Sequence, residues 1–269
     1  MLDLTGPMQA LHTVNRLDVG QAPRYQLVVA SESGGLVTTS AGLQVMTEGL
    51  ASLEGRDIDT LIAPGGCRDE TYQVSDAVAA WVAANASRCR RVCSVCTGAF
   101  LLAAAGQLDG RRAATHWQWA SRLASSYPAL RVDADSIFVK DGNVWTSAGV
   151  TAGIDLTLAL IEEDHGHRVA IDVARQLVVF LKRSGGQSQF STPLAAQATG
   201  GDTFNDLHAW MAANLTEDLR VEQLAARAFM APRTFARVYQ KRMGRTPAKA
   251  VEGLRVDAAR RCWTRQRSR

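Results

Sequence analysis

Cys96 is the residue in the sequence that is best placed to do chemistry, because of the elements predicted on either side of it. Residues Arg91–Val95 before it predict a short buried strand, and residues Ala99–Ala105 after it predict a helix. A thiol at this junction projects from a tight turn above the sheet, near the unpaired amides of a helix N-terminus, and both effects favour the thiolate. Cys96 is therefore a candidate nucleophile or a candidate ligand-reading residue.

Other residues near this junction have simpler explanations. Cys93 precedes Cys96 by three residues, but a cysteine inside a buried strand is expected to be a core residue rather than a redox partner. A zinc site would also need Cys67 and His116, whose spacing is not typical of zinc ligands, so we expect no metal. The acidic run Glu162–His165 is expected to be a solvated helix end.

Strands and helices alternate along the first part of the chain. Buried strands are predicted at Tyr25–Ala30, Thr60–Ala63 and Arg91–Val95, and a hairpin at 137–146 with its turn at 141–143. Helices are predicted at about 74–86, 117–128, 152–164 and 167–182. This alternation favours an α/β fold whose mostly parallel sheet is covered by helices on both faces.

The charge of the chain is concentrated at one end. Residues 1–199 carry a formal net charge of −3 and residues 200–269 carry +7, with 12 arginines among the 14 basic residues of that second part. A basic module attached to a near-neutral domain is expected of a nucleic-acid-binding protein, and a solvated basic tail is the alternative. The polar, glycine-rich segment 184–202 between them predicts a linker.

The expected compartment is the cytoplasm. No stretch of about 18 apolar residues is present, so we predict no membrane-spanning helix. The first residues lack a basic segment followed by an apolar core, so we expect no secretory signal. Five scattered cysteines, an odd number, favour a reducing environment over a disulfide framework.

The basic segment has the spacing of a helix-turn-helix. A short helix is predicted at Val221–Ala228 and a second at Pro232–Met243, with Phe235 and Tyr239 on its core side. The exposed side of the second helix would carry Arg233, Thr234, Arg237, Gln240 and Lys241. A second helix with basic residues on its exposed face is typical of a module that reads the major groove of DNA.

This segment resembles the AraC/XylS family of transcription regulators. The resemblance rests on Leu224–Ala226, Met230–Arg237, Gly244–Pro247 and Leu254–Arg260. It implies that Arg233 and Arg237 read bases, that Thr234, Lys241 and Arg242 contact phosphate, and that Gln240 shares their face. Ala231 stands where the family usually has a capping serine, and the sequence contains one helix-turn-helix unit where the family has two.

The first ~190 residues resemble the ThiJ/PfpI class of the class I glutamine amidotransferase-like superfamily. The matching segments are Leu2–Pro7, Leu61–Gly66, Val95–Ala99, Ala105–Arg112, Thr115–Trp117, Thr146–Asp155 and Gly185–Gln187. The resemblance implies a flavodoxin-like sheet with Cys96 at its nucleophile elbow. Backbone amides after Gly65 and at Thr97 would form an oxyanion-type cradle, and Gly65 and Gly66 would line a ligand pocket.

The resemblance is compatible with two functions for this domain, an enzyme and a sensor. In the isonitrile-hydrating enzymes of the superfamily, residues corresponding to Asp3, Cys96 and Thr97 are implicated, and His116 matches a histidine near the elbow of several branches. A hydratase or amidase is therefore the alternative to a regulator whose Cys96 pocket binds an effector. His116 has a further reading as a hydrogen-bonded core residue.

The sequence as a whole predicts a cytoplasmic, DNA-binding transcription regulator. Residues 1–183 would form a sensor domain for a small nitrogen-containing metabolite, 184–202 a linker, and 203–269 a partial AraC-type module. We expect a homodimer on double-stranded DNA, with no cofactor and no membrane association. Family members have a central strand before the Leu2–Pro7 motif, so we also expect a chain shortened at both ends.

Overall fold

The computed structural model describes residues 1–17, 22–66, 72–181, 186–187 and 203–266. The chain divides into two compact units, residues 1–183 and 184–269. Apart from residues 186 and 187, the segment predicted as a linker lies outside the described residues. None of the helices in these ranges has both the length and the apolar character that crossing a bilayer requires.

The first unit is an α/β unit in which strands and helices alternate. Its helices are α1 (Leu2–Leu17), α2 (Asp76–Asn85), α3 (Gly98–Ala104), α4 (Trp117–Ser126), α5 (Ala152–His165) and α6 (His167–Gln176). Its strands are β1 (Ala30–Ser31), β2 (Ser33–Thr38), β3 (Gln44–Gly49), β4 (Thr60–Ala63), β5 (Arg91–Val95), β6 (Arg112–Ala113), β7 (Arg131–Val132), β8 (Phe138–Asp141) and β9 (Val144–Ser147).

The main sheet has the order β4-β5-β9-β8 and places the elbow strand β5 inside it. Strand β5 pairs in parallel with β4 and with β9, so that Cys93 lies opposite both Ile62 and Trp145. In this four-stranded sheet β8 runs antiparallel to β9, as the predicted hairpin. The mostly parallel sheet expected from the sequence is confirmed. Two smaller sheets, β1-β3-β2 and β6-β7, complete the unit.

Strand β5 supplies both faces of the sheet with apolar side chains. Val92 packs into a core that includes Phe100 and Leu102 of α3. Cys93, its neighbour, points to the other face and packs against Trp145 and Leu156. Successive side chains of a strand point to opposite faces, so all five residues of β5 are buried, including the polar Arg91 and Ser94.

Two predicted elements differ in the structure. The strand predicted at Tyr25–Ala30 is wrong for most of its length, since strand pairing begins only at Ala30. The backbone of Tyr25 forms hydrogen bonds with the side-chain amide of Asn15 instead. This amide donates to the Tyr25 carbonyl (2.7 Å) and accepts from the Tyr25 N–H (2.9 Å). The last helix of the unit ends at Gln176 rather than near residue 182, and Val178 has a left-handed backbone.

The described part of the second unit is helical. It consists of α7 (Thr203–Ala213), α8 (Val221–Arg227), α9 (Pro232–Met243) and α10 (Pro247–Gln266). Phe204, Phe235 and Tyr239 form an aromatic cluster at its core, with ring centroids 5.3–5.8 Å apart. Helix α9 has the predicted bounds. It ends at Gly244, whose left-handed conformation a glycine adopts without a steric penalty.

Candidate functional site

The backbone of Cys96 is held by hydrogen bonds at both its N–H and its carbonyl group. The Cys96 N–H donates to the Ser147 carbonyl (3.0 Å), and the Cys96 carbonyl accepts from the Thr115 hydroxyl (2.8 Å). Cys96 has a φ of 58°, a left-handed conformation that costs a non-glycine residue roughly 1–2 kcal/mol. The surrounding structure thus keeps a strained turn that presents a half-buried thiol.

The loop after β4 lies directly against this elbow. A Cβ on Gly65 would come within 2.8 Å of Cys96 Cβ and of the Thr97 N and Oγ1 atoms, so only a glycine fits there. The Gly66 N–H donates to Thr97 Oγ1 (3.1 Å). Of the two amides expected to form an oxyanion cradle, the one after Gly65 therefore already has a partner within the protein.

Gly149 lies close to both the Cys96 thiol and the His116 imidazole ring. A Cβ built on Gly149 would lie 3.1 Å from Cys96 Sγ and 3.2 Å from His116 Cδ2, and its φ of 147° is itself unfavourable for other residues. The loop from β9 to α5 can pass this close to both groups only because Gly149 lacks a side chain. The structure therefore brings Cys96 and His116, 20 positions apart, to one place.

Asp3 reaches the same loop from α1. One of its carboxylate oxygens accepts a hydrogen bond from the Val150 N–H (2.8 Å). Burial raises the pKa of Asp3 above 3.8, and the Val150 hydrogen bond opposes this rise only in part. Helix α1 can approach because Gly6 packs against Ile154 at the start of α5, where a Cβ would come within 3.0 Å of that side chain.

The His116 ring has a nitrogen atom that could form a further hydrogen bond. Its Nδ1 atom is buried and makes no hydrogen bond within the described ranges. Burial lowers its pKa and so favours the neutral ring, while the charge of Asp3 acts in the opposite direction. The ring of Trp117 lies beside it, at a centroid distance of 5.5 Å, and is about half exposed.

These groups together form a partly buried polar cluster around the loop that contains Gly149 and Val150. It offers a thiol, a neutral imidazole and a carboxyl group of raised pKa, with Trp117 at its edge. Such a set can bind a small molecule that carries both hydrogen-bonding and apolar parts. It also places a base near a thiol, as covalent thiol chemistry requires.

The other described cysteines are not part of this cluster. Cys93 is fully buried, and burial raises its pKa to about 12, so it stays a thiol within the core. Cys67, which the zinc alternative required, lies outside the described residues. In the part of the chain that the structure describes, no three His, Cys, Asp or Glu side chains are arranged to hold a metal ion.

A second candidate site is the outer face of α9. Arg233, Thr234, Arg237, Gln240 and Lys241 are all exposed, whereas Phe235 and Tyr239 are fully buried. Arg233, Arg237 and Lys241 recur every four residues and so share one side of the helix. Within the described ranges, no ion pair joins any of these three cations to a carboxylate.

Arg242 differs from the cations of that face. It lies seven residues after Phe235, hence on the core side of α9, and its guanidinium lies 5.9 Å from the centroid of the Phe204 ring. Although the residue is exposed, its stem belongs to the rim of the core. At the other end of α9, Ala231 occupies the N-cap position without a side-chain hydrogen bond, as its residue type requires.

Comparisons with known proteins agree with this arrangement. Residues 2–163 match the DJ-1/PfpI family. The chain is 30% identical to the HTH-type transcriptional regulator CdhR of Pseudomonas aeruginosa over 261 residues. This alignment covers 97% of this chain and 76% of CdhR. Over 176 residues it is 34% identical to the isonitrile hydratase of Pseudomonas putida, covering 65% of this chain and 69% of the hydratase.

A solved structure supports the fold independently. An AraC family transcriptional regulator from Pseudomonas putida matches with a TM-score of 0.57 over 66% of this chain and 92% of that chain, at 24% identity. This likeness shows the fold of the first unit, while the match to CdhR extends through the helix-turn-helix as well. The chain therefore belongs to the DJ-1/PfpI family, in the group of HTH-type transcriptional regulators that carry this domain.

Proposed function

We propose that this protein is a cytoplasmic transcription regulator that binds double-stranded DNA through α9 and senses a small molecule at Cys96. The observation that carries the proposal is the exposed row Arg233, Arg237 and Lys241 on a helix whose other face is buried. Guanidinium groups hydrogen-bond to guanine in the major groove and neutralise phosphates along it. We assign base reading to Arg233 and Arg237, and phosphate contacts to Thr234, Lys241 and Arg242, with Gln240 beside them.

The charge around this row favours a polyanionic partner. Between Glu222 and Glu252 the chain has seven basic residues and no acidic one. A solvated surface helix usually alternates charges of both signs, because pairs at i and i+4 stabilise it. A long segment without acidic residues gives up that stabilisation, which is expected of a surface that meets phosphates.

The first unit would act as the sensor. Residues 1–183 contain the Cys96 pocket, residues 184–202 would be the linker, and residues 203–269 the DNA-binding module. We infer an effector that is small and contains nitrogen, held by Asp3, His116 and Cys96, with Gly65, Gly66 and Thr97 forming the wall. No cofactor is part of this proposal.

Regulation would follow from a homodimer. A helix-turn-helix unit reads one half-site, and two copies bind two half-sites about one helical turn of DNA apart. An effector that binds one arrangement of the dimer more tightly shifts the population toward that arrangement. The effector would thereby change operator affinity without touching DNA.

The test is a salt titration of DNA binding with charge-matched variants. We would select a duplex from a random pool with the wild-type protein and compare Arg233→Ala/Arg237→Ala with Arg168→Ala/Arg175→Ala. Both pairs remove two exposed arginines from one helix, but the second pair lies on α6 of the first unit. We expect the α9 variant to lose at least ~1–3 kcal/mol of binding free energy and the α6 variant to bind normally. Equal affinities for the two variants would refute the proposal.

A cysteine-dependent enzyme is the second candidate function, and the similarity to an isonitrile hydratase favours it. Asp3, Cys96 and Thr97, the residue types implicated in that chemistry, all adjoin the elbow here, with His116 nearby. The test is turnover of an alkyl isonitrile or an amide by wild type and by Cys96→Ser. Saturable turnover that disappears with the thiol would favour the enzyme, while its absence together with intact DNA binding favours the sensor.

A further inference from the structure

Phe229 stands in the turn of the helix-turn-helix in a conformation that suits glycine. Its φ is 54°, and its side chain is 95% exposed. The turn closes with two hydrogen bonds, from the Phe229 N–H to the Ala226 carbonyl (3.1 Å) and from the Met230 N–H to the Ala225 carbonyl (2.9 Å). This pattern is the common ending of a helix in which the left-handed residue is usually glycine.

The ring of Phe229 contributes little to the fold. Met230, the next residue, packs against the core of the second unit, whereas the Phe229 ring is almost entirely in solvent. A phenylalanine here thus adds backbone strain and also leaves a large apolar surface in water. A bulky residue with a positive φ is an outlier from which a functional role can be inferred.

The surroundings of Phe229 indicate what would cover the ring. Phe229 lies inside the segment between Glu222 and Glu252 that has seven basic residues and no acidic one. Pro232 begins α9 three residues later, and Arg233 follows in its first turn. A partner of this surface must be polyanionic and must also offer an apolar patch. Duplex DNA has both, since its phosphates accompany deoxyribose edges and thymine methyl groups.

We propose that Phe229 makes an apolar contact to the DNA duplex, to a thymine methyl group or to a deoxyribose, beside the groove that α9 enters. This inference rests on the proposed DNA-binding function and adds to it a contact that carries no charge. The two closing hydrogen bonds fix the backbone of Phe229, so its Cα–Cβ bond leaves the turn in one direction before binding. The contact adds affinity without changing how many counterions are released.

The experiment compares side chains of different size at this position on the duplex selected by the wild-type protein. Phe229→Ala is expected to weaken binding about three- to tenfold, and Phe229→Leu to retain most of the affinity because it keeps an apolar side chain. Val256→Ala is the control, since it shortens another exposed apolar residue of the same unit, outside the acid-free segment. The slope of log affinity against log salt should equal that of wild type in all three variants.

Two further arms separate the contact from its alternatives. On a duplex with deoxyuridine in place of thymidine, an effect of Phe229→Ala that disappears assigns the contact to a thymine methyl, and one that persists assigns it to the sugar. Phe229→Gly should melt at a higher temperature than wild type and still bind more weakly, which excludes misfolding as the cause. Wild-type affinity in Phe229→Ala, while Arg233→Ala/Arg237→Ala binds weakly, would overturn this inference and leave the DNA-binding function intact.

Discussion

Asp3 accepts a hydrogen bond of 2.8 Å from the backbone N–H of Val150, and this bond joins the first turn of α1 to the loop between β9 and α5. The loop also contains Gly149, against which the Cys96 thiol and the His116 ring both lie. Three groups distant in sequence therefore depend on the position of one loop. Any ligand or substitution that moves the loop must change the surroundings of Cys96.

The first prediction concerns the charge on Asp3. Burial raises the pKa of Asp3 in the folded protein above 3.8, so the folded state binds this proton more tightly than the unfolded state does. The ionised carboxylate consequently costs stability above the raised pKa, and this cost disappears as the pH falls through it. Asp3→Asn keeps an oxygen that can accept from Val150 but has no charge.

We therefore expect Asp3→Asn to melt at or above the wild-type temperature at neutral pH, with the difference shrinking as the pH is lowered. Melting curves of both proteins over a pH series measure this. Asp57→Asn is the control, because it removes the same charge from an exposed position. A less stable Asp3→Asn at neutral pH would mean that the hydrogen bond to Val150 outweighs the cost of burial.

The second prediction separates steric contact from backbone strain at Gly149. Gly149→Ala adds a methyl group 3.1 Å from Cys96 Sγ at a φ of 147°, whereas Gly166→Ala adds one at a φ of 84° with no atom within 4 Å. Both should lose about 1–3 kcal/mol of unfolding free energy to strain, and Gly149→Ala should lose more because the thiol must move.

The local readout is the alkylation rate of Cys96, followed by mass spectrometry of its peptide. We expect Gly149→Ala to change this rate several-fold and Gly166→Ala to leave it at the wild-type value, because only the first methyl group meets the thiol. Equal alkylation rates in the two variants would show that Gly149 acts only through the backbone.

The elbow and the helix-turn-helix could be predicted because local sequence determines them. A short strand with Val92, Cys93 and Val95, followed by Thr97–Gly98 and an apolar run, predicts a turn into a helix. Pro232 and Gly244 mark the two ends of α9. The convergence of Gly149 and Asp3 on Cys96 is not local. It depends on α1 packing against α5, which no spacing along the chain encodes.

Tyr25–Val29 shows the opposite case, in which a local pattern gave the wrong element. Its apolar residues predict a strand, and Tyr25 and Leu27 do pack against the core formed by α1, α5 and α6. Burial alone, however, does not make a strand, because a strand also needs a neighbouring backbone to pair with. At Tyr25 that role falls to the side chain of Asn15.

Asp164 is the clearest site that sequence reasoning missed, since the acidic run at the end of α5 was expected to be solvated. Its side chain is 7% exposed and accepts hydrogen bonds from Arg91 Nη2 (2.6 Å) and from the Tyr25 hydroxyl (2.8 Å). The Arg91 side chain is only 4% exposed. Charge patterns along a helix do not reveal that a neighbouring strand begins with a buried arginine.

The third prediction follows from this buried pair. Burial alone would raise the pKa of Asp164, but hydrogen bonds from Arg90, Arg91 and Tyr25 outweigh it and lower the pKa to about 2. The folded state therefore binds this proton less tightly than the unfolded state, and the stabilisation is complete above 3.8 and is lost as the pH falls toward 2. Removing one partner also leaves the buried Arg91 charge without its closest carboxylate.

Asp164→Asn is thus expected to lose about 3–5 kcal/mol of unfolding free energy at neutral pH, as for other broken buried ion pairs. The loss should shrink below a pH of 3.8, where wild-type Asp164 begins to bind a proton on unfolding. Urea unfolding over a pH series measures both. Asp172→Asn is the control, since its side chain is 41% exposed and lies 3.9 Å from Arg175 on its own helix, and it should change stability by less than ~1 kcal/mol. A loss no larger than that of the control would mean that water replaces Asp164 as the partner of Arg91.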